Sequence, residues 1–121
     1  MKNSSILQMT LRFAGLIQLI LGFTVWIGKV DFIILIHILV GSIFTIALFA
    51  LTYQAYRAGV SRQLVMLAAA LAVILPIWGL AQEKILPESY FWISQVLHIL
   101  FGVGAIGMAE MMAVKMRKLT A

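Results

Sequence analysis

Four long apolar runs divide the chain, at about residues 6–27, 32–56, 64–81 and 90–114, and the charged residues gather mainly at their ends. A bilayer core about 30 Å thick takes roughly 20 apolar residues in helical form, so each run is of a length to cross it once. The stretches between the runs are too short to hold a domain. Gly28-Lys29-Val30-Asp31 predicts a tight outer turn, Gly59-Val60-Ser61-Arg62 an inner turn with Ser61 as N-cap, and Leu86-Pro87-Glu88-Ser89 a break before the fourth helix. Pro76 falls inside the third run, where a membrane helix accommodates it with a bend. The pattern predicts an all-α membrane protein, a four-transmembrane-helix up-down-up-down bundle. It forms one membrane domain over residues 1–121.

The second half of this pattern repeats the first. His37-Ile38-Leu39-Val40-Gly41 returns as His98-Ile99-Leu100-Phe101-Gly102, and the run after each ends in basic residues, at Arg57 and Lys118. Upstream, Leu21-Gly22 corresponds to Trp78-Gly79, with a longer outer link in the second copy. The bundle therefore reads as two repeated helical hairpins, about 6–56 and 64–114, related by a pseudo-two-fold axis along the membrane normal.

Composition agrees with burial in lipid: of 121 residues, 64% are hydrophobic and 11% charged. The net charge of +5 would suit a nucleic-acid partner, but the distribution explains it otherwise. Lys2, Arg12, Arg57, Arg62, Lys115, Arg117 and Lys118 lie on one side, and only Lys29 and Lys84 on the other. The positive-inside bias then sets both termini in the cytoplasm, and anionic lipid rather than nucleic acid is the partner of the charge. Trp26, Tyr90 and Trp92 are expected as anchors at the outer headgroups, and Tyr53 and Tyr56 at the inner. No small-x-small cleavage pattern follows the first run, which reads as a retained helix. The expected location is a bacterial or archaeal cytoplasmic membrane. With no cysteine, disulfides, thiolate ligands and iron–sulfur clusters are excluded.

His37 and His98 are the candidate metal ligands. An ionisable side chain inside a span is a functional candidate by default, and these two occupy repeat-equivalent positions about 10 Å below the outer surface. The second and fourth helices run in the same direction on a diagonal of the bundle, so the two imidazoles can face each other across its centre. That is the requirement for one haem b held between two axial histidines. Gly41 and Gly102, one turn beyond each histidine, leave room for a flat macrocycle, and Gly22 continues this small-residue lining on the first helix beside Gly15 and Gln18. Close helix packing is the competing reading of these glycines. For propionates at the outer surface the candidates are Lys29, Lys84 and Gln95, with Gln82 and Ser94 beside them. Two other fates of the histidines stay open: hydrogen bonds to helix carbonyls, and ligation of a chlorophyll-type magnesium. Glu110 is the one acidic group within a run, expected to pair with Arg117 or to reach the headgroups.

A four-helix unit with one histidine early in its second helix and another early in its fourth, 61 positions apart, resembles one half of haem A synthase. Gln18-Leu19-Ile20-Leu21-Gly22 ahead of His37 is similar to the glutamine, leucine and glycine that precede a ligand histidine in that family. The resemblance implies a bis-histidine haem pocket near the outer face. That family also has a glutamate three residues before a ligand histidine and often an arginine just after it. Here Ile34 and Ile38 flank His37, and Gln95 and Ile99 flank His98, so the oxidation chemistry is not implied. The resemblance leaves a b-type cytochrome layout, more an electron-transfer protein or subunit than a stand-alone enzyme. Its partners would be a quinol or periplasmic redox protein, in a homo-oligomer or larger complex. The alternative is a non-catalytic helical subunit of a respiratory or photosynthetic membrane complex, holding a pigment or nothing. A transporter is the weakest reading, since polar groups are scarce at the midplane.

Overall fold

The computed structural model describes residues 2–28 and 30–121, with only the backbone of Lys2. Its elements are four helices, α1 (Lys2–Ile27), α2 (Asp31–Arg57), α3 (Arg62–Ile85) and α4 (Phe91–Thr120), with one 3₁₀ turn at Glu88–Tyr90 before α4. All four spans are long and apolar enough to cross a membrane. Helix is the form such sequences take in lipid because it satisfies every backbone N–H and C=O internally.

The chain reverses between α2 and α3 through a Schellman motif. Gly59 takes the left-handed conformation at φ 85°, the Val60 amide donates to the Ala55 carbonyl at 3.0 Å, and the Gly59 amide donates to the Tyr56 carbonyl at 3.2 Å. Val60 and Ala55 are both buried, giving the apolar contact that accompanies this cap. Ser61 precedes α3 without a side-chain cap bond, and the helix starts on its carbonyl, which accepts from the Val65 amide at 3.2 Å. Helix α3 runs unbroken through Pro76.

Each helix packs on its sequence neighbours, α1 closes on α4, and α2 also touches α4 directly. The cross-section is thus a rhombus with α2 and α4 on its short diagonal. The core lies almost wholly at the end holding the termini and the α2–α3 turn, here called the basic end. Leu11, Leu48, Leu51, Met112 and Met116 are its most completely enclosed large apolar side chains, each at most 1% exposed. Buried alanines line the helix contacts there, among them Ala14, Ala47, Ala68, Ala72, Ala105 and Ala109, letting backbones approach closely. The far half is different. Among the described residues none is buried between 16 and 43, and only Ser94 is buried between 76 and 104.

A polar chain also fastens the basic end. Arg12 donates to Glu110 through Nε at 2.5 Å and Nη2 at 2.9 Å, Gln8 Nε2 donates to Glu110 at 2.6 Å, and Arg117 Nη1 donates to Gln8 Oε1 at 2.6 Å. Glu110 therefore pairs with Arg12 across α1 and α4. Arg117, the expected partner, reaches the same cluster through Gln8.

A candidate two-histidine site

The histidines meet in the far half, where α2 and α4 converge on the short diagonal. Their ring centroids are 6.4 Å apart with the planes at 58°. Both Nδ1 atoms are buried and without a hydrogen-bond partner, so no helix carbonyl satisfies either of these two nitrogens.

Each imidazole sits on a glycine of the preceding helix in its own hairpin. A Cβ built on Gly22 would lie 3.5 Å from His37 Cε1, and one on Gly79 would lie 3.1 Å from His98 Cε1 and 3.5 Å from its Nε2. The first is an ordinary contact; the second is tight enough to push the ring. Antiparallel pairing explains the arrangement, because a side chain on one helix projects onto the facing helix and not onto its own next turn. Gly41 serves the converse role: the Gln18 amide nitrogen would be 2.6 Å from a Cβ there. His37 thus lies over Gly22 and Gln18 over Gly41, a reciprocal fit between α1 and α2. The second hairpin has no such glutamine; Leu75 stands four residues before Gly79, as Gln18 stands before Gly22. Gly102, the counterpart of Gly41, has nothing within 4 Å of its Cβ position.

The remaining candidates are dispersed. Gln95 is half-buried one turn before His98, and Lys84 is exposed near the end of α3. Lys29 lies outside the described residues. Ser94 is 0% exposed and turns toward α3, where the Trp78 indole N–H donates to its Oγ at 3.0 Å and its carbonyl at 3.2 Å. That engagement removes it from any surface role. Trp78 also meets Phe101 edge-on, with centroids 5.7 Å apart.

Gly79 joins the site as well, a glycine that the sequence already marks in the repeat. It is the repeat partner of Gly22, and the antiparallel geometry of a hairpin sets both beneath the histidines.

The donor set is limited. Among the described residues no group of three or more His, Asp or Glu side chains gathers, so the site does not resemble a zinc centre built from several protein ligands. Metal–imidazole bonds of about 2.0 Å put the ring centres of two trans imidazoles on one ion about 6 Å apart. The 6.4 Å between these rings fits that spacing. Two imidazoles at that spacing suit a metal whose other positions are filled by a macrocycle.

No protein-family model, curated protein or solved structure matches the chain.

Proposed function

We propose that this chain is a membrane-embedded b-type cytochrome, with His37 and His98 as the axial ligands of one haem b used for electron transfer near the outer membrane face. The observation that carries the reading is the approach of two imidazoles to 6.4 Å between ring centroids, in the half of the bundle that lacks a core of its own. A haem with both axial positions filled supplies one-electron exchange in place of oxygen binding.

The chain's residues divide the work. His37 and His98 each give one ring nitrogen, and Gly22 and Gly79 let those rings seat against α1 and α3. Gly102 borders open space on the α4 side. Lys84 and Gln95 are the described groups able to meet a propionate. The excess of Arg and Lys at the basic end assigns that end to the cytoplasm. The histidines then face the outer leaflet, within reach of a quinol or a periplasmic redox protein. This is the pocket implied by the resemblance to one half of haem A synthase, with Ile34 and Gln95 where that family has its glutamate.

The test is an absorption spectrum of the detergent-purified protein, produced with ample haem supply, oxidised and then dithionite-reduced. A Soret band with sharp reduced α and β bands, absent from both His37→Ala and His98→Ala, is the expected result. A colourless, fully helical wild-type protein overturns the reading, and a far-red band reassigns the histidines to a pigment-binding subunit.

A further inference from the structure

Among the described residues, five buried side-chain polar atoms have no hydrogen-bond partner: Gln18 Oε1, His37 Nδ1, Gln54 Oε1, Gln82 Oε1 and His98 Nδ1. Gln54 belongs to the last turn of α2, at the basic end. The other four lie in the far half and are chemically complementary. An amide oxygen only accepts. An imidazole that gives one nitrogen to a metal carries its hydrogen on the other, so each Nδ1 is then a donor. Two donors and two acceptors are thus left over in one region, where unpaired buried groups are otherwise rare.

Their positions match them one to one. Gln18 is one turn before Gly22, the residue beneath His37, and its amide lies over Gly41, one turn beyond His37. It borders the His37 face from both directions. Gln82 is one turn after Gly79, whose Cβ position is 4.0 Å from His98 Nδ1. We propose that Gln18 and Gln82 are positioning residues for the two imidazoles, Gln18 Oε1 accepting from His37 Nδ1–H and Gln82 Oε1 from His98 Nδ1–H, after an amide rotation or through one water. Metal-bound histidines commonly give their second N–H to such an acceptor, which fixes the tautomer and ring orientation and makes the ligand more electron-rich. Gln82 is then an inward-facing partner of His98 and not a propionate contact.

The donor role of each Nδ1 and the effect on potential rest on the haem reading; the pairing itself is testable without a cofactor. In the full-length protein labelled with [15N]histidine, imidazole nitrogen shifts report which nitrogen bears the hydrogen. Both histidines are expected as the neutral Nδ1–H form. Gln18→Leu should abolish that preference at His37 alone, and Gln82→Leu at His98 alone, while Gln→Glu at either position preserves it. In haem-loaded protein the Leu variants should raise the midpoint potential and the Glu variants lower it. Unchanged nitrogen shifts in both Leu variants, or each variant disturbing the wrong histidine, overturn the assignment. Haem bound with unaltered shifts and potentials sinks the glutamine roles alone, whereas a wild type that takes no haem sinks the cytochrome reading and leaves the apo-protein shifts to decide the pairing.

Discussion

The two ends of this bundle share the same four helices, yet only the basic end has a core. Lipid tails are as apolar as leucine, so helices in a bilayer gain little from apolar character alone and hold together where their surfaces interlock closely. At the basic end alanines line the contacts, and Leu48, Leu51 and Met112 fill the centre. In the far half the corresponding places carry His37, His98, Gln18 and Trp78, large groups with polar atoms, and the glycines that could have drawn backbones together are covered by them. Hydrophobicity suits both halves to a membrane; close fit makes only one of them solid. The absence of a core where the histidines converge is the feature on which the proposed haem site rests.

The sharpest break in this contrast is Leu48→Ala. Leu48 is 0% exposed in the packed half, and truncating a buried leucine costs roughly 2–4 kcal/mol through lost contacts and a residual cavity. The same change at Leu39, 56% exposed in the far half, should be close to neutral. Unfolding midpoints in mixed micelles measure both; equal losses would show that the far half is as well packed as the other.

Gly79→Ala comes next. Its new methyl must displace the His98 ring, since 3.1 Å from Cε1 is too close for a carbon contact, whereas the Gly22→Ala methyl fits at 3.5 Å. Haem content per chain should fall severalfold for the first and change little for the second.

His37→Leu should lower the midpoint of the haem-loaded protein, through loss of one ligand, by more than that of the cofactor-free protein, in which His37 is half-buried; paired midpoints with and without haem give both values. Glu110→Gln should lower the midpoint by less than Leu48→Ala, because its main partner Arg12 is exposed. Gly102→Ala is the smallest case. It should leave the cofactor-free protein unchanged, given the empty space around it, and a drop in haem affinity would locate a macrocycle edge there.

Much of the architecture is readable from run lengths. Four apolar stretches with short links leave few alternatives in a bilayer, and the repeat of His37 in His98 marks the two residues that meet. The sequence does not disclose which neighbours each histidine has. Gly41 and Gly102 share a helical face with the histidines, which a single-helix periodicity reveals, but the glycines beneath the rings, Gly22 and Gly79, belong to facing helices. That register depends on two turns of unequal length. Nor does any periodicity signal that Glu110 bonds Arg12 and that Arg117 reaches it through Gln8. Those contacts join residues 98 and more positions apart and depend on how α1 closes against α4. Ser94 reads in sequence as an outer-surface hydroxyl, whereas in the fold Trp78 occupies it.

Trp78 gives the molecule an internal optical probe. Its indole is fixed by the bond to Ser94 and the edge contact with Phe101, and it adjoins the glycine on which His98 rests. Trp26 and Trp92 are exposed, so their emission reads the surroundings of the bundle, while that of Trp78 reads the interior of the far half. With the other two replaced by phenylalanine, any chromophore arriving between the histidines would extinguish the remaining fluorescence, and the time course of that loss would give the rate of loading directly.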